Sequence, residues 1–265
     1  MSTKTQVLPA PPQWRRLALA SDIHLSAQAP ETAALWHHAL ANCDADALIL
    51  LGDYFDVWVG DDLLNAPITN DEDGQAIAFW QDCAKRLRAA AQQRPVFWMA
   101  GNRDFLVGQA FAQHCGLQLL DDPCLLTWHE QRYLLSHGDA WCTDDADYMA
   151  FRTQVRSPEW QRDFLRQPLT QRLAAARQMR AASQAHHQHL DMVSDIHGPT
   201  ALRSALAHGA KTVIHGHTHQ GISAALSSEV SRHVTLDWEG ADRPPRAQWL
   251  VLEPQGITRV DCARL

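Results

Sequence analysis

Five short motifs in this chain hold residues whose types and order can do chemistry. They are Asp22-Ile23-His24, Gly52-Asp53, Gly101-Asn102-Arg103-Asp104, His137-Gly138-Asp139 and Gly216-His217-Thr218-His219. Singly, each is ordinary: a turn aspartate, a core histidine, a plain Gly-Asn turn. Together they supply Asp22, His24, Asp53, Asn102, His137, His217 and His219, a set of oxygen and imidazole donors without thiolate. Such donors suit Mn, Fe or Zn rather than Ca or a structural zinc. Seven ligands exceed what one ion needs if substrate is also to reach it. A shared carboxylate can bridge two ions about 3.5–4 Å apart, the spacing of two-metal hydrolytic sites. The chemistry expected is metal-assisted hydrolysis, with a bridging hydroxide, formed from water that both ions acidify, as the nucleophile and the ions neutralising phosphoryl oxygens.

Each motif follows a short apolar run. The runs are 16–21, 46–51, 95–100, 132–136 and 211–216, each bounded by Gly, Asp, Asn or Pro as buried strands are. Residues 31–43 and 74–93 show apolar positions at three- and four-residue spacing and predict helices between strands. Strands alternating with helices predict an α/β fold, and sites in such folds lie at the C-terminal edge of the sheet. Glycines beside the ligands let the backbone turn sharply there. Toward the end of the chain, 232–238, 247–253 and 257–261 read as antiparallel strands, so the sheet content is mixed. Trp36, Trp80 and Trp98 fall on core faces. Trp58 and Trp141 either border the site or wedge its loops.

Composition bounds the function. The chain has 265 residues, 46% of them apolar and 20% charged, enough for a sizeable core. A net charge of −7 argues against a general nucleic-acid binder. Six cysteines without a CxxC pair fit free thiols in a reducing compartment, and Cys142 reads as a packing residue. No apolar stretch reaches membrane-spanning length. Residues 1–14 read as a disordered, proline-rich leader and 15–265 as one domain, with a helical insertion at about 144–197. Within 151–182 seven arginines face two acids among interleaved apolar residues, and Pro158 and Pro168 divide the stretch into short helices. This is either a solvated helical face or a basic, apolar surface for anionic lipid or a phosphorylated ligand.

The order D-x-H, G-D, G-N-x-D, H, G-H-x-H resembles the calcineurin-like metallophosphoesterases. The resemblance implies a four-layer α/β/β/α sandwich of two mixed sheets. It assigns Asp22, His24, Asp53 and His219 to one ion and Asp53, Asn102, His137 and His217 to the other, with Asp53 bridging. Many members carry a histidine after the asparagine to assist the leaving group. Here that position is Arg103, which cannot act as a general acid but can clamp a phosphate. This suits a leaving group that needs no proton, such as a phosphate released from a pyrophosphate. The other reading of Arg103 is a structural ion pair with Asp104 or another acid.

The segments GDYFDVWVGDD (52–62), GNRDFLVG (101–108), HGDAWCTDDADYMAFR (137–152), RQMRAAS (177–183) and IHGHTH (214–219) are similar to those of bacterial UDP-2,3-diacylglucosamine pyrophosphatases. That family implies water attack on the α-phosphorus of a lipid-linked nucleotide, two Mn ions, and a peripheral position on the anionic cytoplasmic face of the inner membrane. Its helical cap receives the acyl chains and the sugar phosphate. By motif, Asp145, Tyr148, Arg180, Ser183 and His187 would line the substrate site with Asn102, Arg103 and His217. Asp53, Asn102, Arg103 and His217 would carry catalysis. One segment departs from the pattern. After Ser183 the family has an Asn and a Lys, whereas here His187 takes the place of the Asn, and His189 or Leu190 that of the Lys. His186, His187 and His189 therefore read either as substrate contacts weaker than an ammonium or as an exposed polar run. His215 is expected to be structural or to support the ligands. The alternative function is a different calcineurin-like phosphodiesterase or phosphatase.

Overall fold

The structure, a computed structural model, describes residues 5–189 and 195–263, with the side chains of 180–189 outside that description. Two six-stranded mixed sheets pack face to face. The first has the order β12 (Gly256–Asp261), β11 (Gln248–Glu253), β2 (Leu17–Ala20), β3 (Ala47–Leu51), β4 (Val96–Met99), β5 (Gln118–Leu120). The second runs β1 (Gln6–Pro9), β6 (Cys124–Trp128), β7 (Gln131–Ser136), β8 (Thr212–His215), β10 (Ser231–Val234), β9 (Ser223–Ala225).

The two-residue strand period explains the layers. Leu17, Leu19, Ile49, Leu51, Phe97 and Met99 of the first sheet meet Leu126, Leu135 and Ile214 of the second. The intervening Ala18, Ala20, Leu48, Leu50, Val96 and Trp98 point the other way, onto helices α1 (Pro30–Ala41), α2 (Glu72–Ala91) and α3 (Gln109–Cys115). Leu125, Leu134 and Val213 face α7 (Gly198–Ala207) on the far side. The strands are apolar on both faces because both faces are covered. The four layers and both predicted helices agree with the reading from sequence. Trp36, Trp80 and Trp98 are buried as expected.

Two expectations need correction. Residues 5–13 are not all leader: Gln6–Pro9 is an edge strand, parallel to β6 from Gln6↔Cys124 to Pro9↔Thr127. The proline is tolerated because it closes the strand at a sheet edge. The C-terminal strands also do not form one antiparallel group. β11 and β12 pair antiparallel in the first sheet, while β10 joins the second, parallel to β8.

The insertion is helical: α4 (Ala146–Val155), α5 (Pro158–Leu165) and α6 (Leu169–His189). Pro158 opens α5 behind the Ser157 cap, and Pro168 precedes α6. Arg172 of α6 is 2% exposed. Its guanidinium ion-pairs with Asp62 and donates to the carbonyls of Val59 and Gln167. Asp61 caps α3, accepting from the amides of Gly108 and Phe111 and from the Trp58 indole. The 60–62 turn therefore fastens both the core and the cap. Arg172→Ala should lower stability by about 1–3 kcal/mol, because it removes a packed, buried stem and leaves the Val59 and Gln167 carbonyls without their donor, whereas Asp62 is largely exposed and stays solvated. Urea denaturation followed by tryptophan fluorescence checks this.

Candidate metal centre

β2, β3 and β4 are parallel in one sheet, and β7 and β8 are parallel in the other. All five end at the same rim of the sandwich, where the chain leaves each strand in a sharp turn. Asp22, His24, Asp53, His217 and His219 have positive φ, between 50° and 66°. Non-glycine residues in this region carry strain, and such strain collects where a site demands it. Backbone hydrogen bonds hold the turns: Asp22 N–H donates to Gly52 O at 3.1 Å and His24 N–H to Asp53 O at 3.0 Å. Two glycines are needed for contact rather than for turning alone. A Cβ on Gly52 would lie 2.6 Å from the Gly101 Cα, and one on Gly101 would collide with the Asp53 carboxylate.

Asp104 locks two of these loops together. Its buried carboxylate accepts from the amides of Gly101 at 2.8 Å and Tyr54 at 2.9 Å, with Asp53 and Phe55 farther off. Its oxygens are spent on backbone, and among the described residues no ion pair joins it to Arg103. Arg103 is half-buried; its amide donates to Asp53 Oδ1 at 2.8 Å, and its positive charge bears on Asp53 and His24.

The ligand candidates converge. Donor atoms of Asp22, His24 and His219 lie within 4.8 Å of one another, as do those of Asp22, Asp53 and His137. Asn102 Oδ1 faces His137 Nε2 at 2.9 Å and His217 Nδ1 at 3.0 Å. All seven predicted ligands therefore meet at one rim. Asp22, however, belongs to both carboxylate groups, whereas Asp53 was expected to be shared. His137 Nδ1 donates to Leu51 O at 2.8 Å across the two sheets, which leaves Nε2 free to coordinate. The set fits a divalent cation. Asp22 and Asp53 are buried carboxylates without a Lys or Arg side chain bonded to them among the described residues, and buried charge needs a counter-charge. His24 Nε2 and His219 Nε2 point at each other 3.4 Å apart, an arrangement that a shared cation stabilises.

Residues 15–221 match the model of the calcineurin-like phosphoesterase family. The chain is a calcineurin-like phosphoesterase. The UDP-2,3-diacylglucosamine hydrolase of Bordetella pertussis is 40% identical to this phosphoesterase over 259 residues, covering 94% of this chain and 95% of that one. That of Chromobacterium violaceum is 40% identical over 250 residues, 89% and 94% of the two chains. That of Xanthomonas oryzae pv. oryzae is 42% identical over 211 residues, 76% and 81%. A solved archaeal phosphodiesterase aligns with a TM-score of 0.47 at 11% identity, over 93% of this chain and 99% of that one.

Of the expected substrate residues in this phosphoesterase, Asp145 caps α4 by accepting from the Tyr148 amide at 2.9 Å. The Tyr148 ring stacks on His217, and its hydroxyl donates to Asp139 at 2.8 Å. Arg180, Ser183 and His187 fall on α6 with side chains outside the described part. Leu190 and residues 191–194 also lie outside the described residues. Trp58 and Trp141 are buried: Trp58 stacks on Phe55 and donates to Asp61, and Trp141 meets the His215 ring edge-on. His215 is buried between its own neighbour's carbonyl and Arg232, whose guanidinium also grips Asp195. Sequence reasoning missed Asp139 and Asp104 as loop fasteners. The signal was present: each is an aspartate two residues after a candidate ligand, in a Gly-containing turn.

The electrostatics follow from burial. Burial pushes Asp53 up, His137 pulls it down, Asp104 and Asp22 push it up again, and its pKa settles at about 7. Burial disfavours the His137 cation, but Asp53, Asp22 and Asp139 outweigh that and push it up to about 9. Burial drives His24 and His217 down to about 3. Burial also opposes the Asp22 anion, yet His219, His137 and His24 hold its carboxyl well below the usual range. A bound cation must displace the protons on His137 and Asp53. Both sites are more fully protonated at lower pH, so affinity for Mn²⁺ should rise with pH by about tenfold per unit for each proton displaced, steeply below about 7 where both protons count and less steeply from about 7 to about 9 where only that of His137 remains. Calorimetric titrations in buffers of different ionisation heat check this by counting the protons released.

Proposed function

We propose that the chain hydrolyses the pyrophosphate bond of UDP-2,3-diacylglucosamine, giving UMP and 2,3-diacylglucosamine 1-phosphate for lipid A assembly. The observation that carries this reading is identity near 40%, spread over almost the whole chain, to relatives named for that substrate. It is supported by an arginine where a proton donor would otherwise stand. The departing sugar phosphate is a stable anion and needs no proton, so a permanent cation at Arg103 serves it better than an acid would.

Asp22, His24, Asp53 and His219 would hold one Mn²⁺, and Asp53, Asn102, His137 and His217 the other. When bound, such ions supply an acidified water and neutralise phosphoryl oxygens. Arg103 would clamp the phosphates, its backbone fixed by its bond to Asp53. His137 would keep its Nε2 turned to the site through its bond to Leu51. Asp145, Tyr148, Arg180, Ser183 and His187 would border the sugar phosphate. A partly open cavity of about 250 Å³ lies beneath the cap; Leu25, Val57, Trp80, Leu173 and Ala176 give it an apolar wall that supports acyl-chain binding, while Asp56, Glu72, Asp73 and Arg177 also line it.

No helix among the described residues is long and apolar enough to cross a membrane. Exposed Phe151 and Leu165, carried on the same helical insertion as the exposed Arg162 and Arg166, support peripheral docking of the cap on the anionic cytoplasmic face of the inner membrane. The net charge of −7 supports a role without nucleic acid.

With Mn²⁺ and the lipid nucleotide in detergent, the full chain should release UMP, and chelation should stop it. Asp53→Ala should lose orders of magnitude in rate. Arg103→Ala should lose about 10²–10³-fold, chiefly in kcat. Faster turnover of bis-p-nitrophenyl phosphate than of the lipid nucleotide would overturn the substrate assignment and favour a general phosphodiesterase.

A further inference from the structure

One helix of the cap touches three of the loops that carry the ligand candidates. On α4, Arg152 Nε and Tyr148 Oη both donate to Asp139 Oδ2 at 2.8 Å. Arg156 Nη2 lies 3.7 Å from the same oxygen and donates to the Gly101 carbonyl at 2.9 Å. The Tyr148 ring stacks on His217, with centroids 6.0 Å apart and an interplanar angle of 28°. Asp139 is wholly buried and follows His137 by two residues. The helix therefore grips the His137 loop at Asp139, the Asn102 loop at Gly101 and the last loop at the His217 ring. These are the loops whose side chains meet at Asn102 Oδ1. Among the described residues, none of the hydrogen bonds, ion pairs or ring contacts of α4 reaches Asp22, His24 or His219.

We propose that α4 is a positioning element for the Asn102–His137–His217 half of the site, acting through Asp139 and Tyr148, so that the cap helps to build one ion's coordination sphere as well as covering the substrate. The physical ground is pre-organisation. Two imidazoles and an amide oxygen from three separate loops keep a common focus only if something rigid spans those loops. Here the span is a helix tied down by a buried carboxylate with a tyrosine and two arginines around it. Groups behind metal ligands of this kind typically change metal affinity by about 10–100-fold when removed. An asparagine at 139 is isosteric and keeps one acceptor oxygen, but it removes the negative charge that holds Arg152 and Arg156.

This inference rests on the two-ion reading and deepens it, and the test separates the two. The full chain is stripped by chelation and titrated with Mn²⁺ by calorimetry, with melting temperature measured in parallel. Asp139→Asn should weaken one of two binding events by about 10–100-fold and leave the other unchanged. Tyr148→Phe keeps the ring and the packing and should weaken the same event. Arg177→Ala, which breaks an exposed cap contact with Asp73, should weaken neither. If Asp139→Asn and Tyr148→Phe leave both events unchanged, or weaken both equally in step with a falling melting temperature, the positioning role is overturned while the two-ion reading stands. If the unsubstituted chain takes up no Mn²⁺, both are overturned.

Discussion

Carboxylates taken out of water must be met by something, and at the rim of this sandwich four are taken out together. Asp22, Asp53, Asp104 and Asp139 are all essentially buried. An isolated buried carboxylate is costly enough to take up a proton instead of staying charged. The four meet this constraint in different ways. Asp104 is surrounded by backbone amides, and Asp139 by a tyrosine and arginines. Asp22 and Asp53 have imidazoles and amides beside them but no lysine or arginine side chain in hydrogen-bonding reach among the described residues. A mobile cation is what that pair is built to accept. The strained turns, the close-packed glycines and the two sheets' shared rim all serve to hold them there.

The fasteners divide by what they hold. Asp104 joins two core loops, Asp62 with Arg172 joins cap to core, and Asp139 joins the cap to the ligand loops. An arginine-rich stretch in an acidic protein thus has two distinct populations. Arg152, Arg156 and Arg172 point inward and are used up in structure, whereas Arg162 and Arg166 remain largely exposed, paired with the similarly exposed Asp163. A count of charge along the chain cannot separate these, because the separation depends on which helical face meets the core.

The strands that deliver ligands were legible because each is a short apolar run ended by a glycine or an aspartate. The candidate ligands, which the fold brings to one rim, stood out by their order along the chain and not because histidine is abundant. β1 and β6 were harder to read. The first hides behind prolines, and the second, around Leu125 and Leu126, has no chemistry at its end to draw attention to it. The destination of β10 was misread because its neighbour β8 is close in sequence only through a long excursion. Asp62, Asp104 and Asp139 sat in plain sight within quoted motifs. Asp62 pairs with an arginine 110 residues away, Asp104 accepts from an amide 50 residues away, and Asp139 meets a tyrosine and an arginine of the following helix, 9 and 13 residues on; no local pattern encodes these partners.

The His137–Leu51 hydrogen bond spans residues 86 apart and joins the end of one sheet to the end of the other. Ligands drawn from positions 22 to 219 cannot come together before both sheets have formed and docked. Such long-range closure comes late and slowly in folding. A cation that binds only the docked state then stabilises it by mass action, in proportion to the logarithm of its free concentration over its dissociation constant. Separating the sheets and losing a cation held at that rim would then be one event, and on the two-ion reading proposed above the supply of metal would also set how long the chain survives heat and proteolysis.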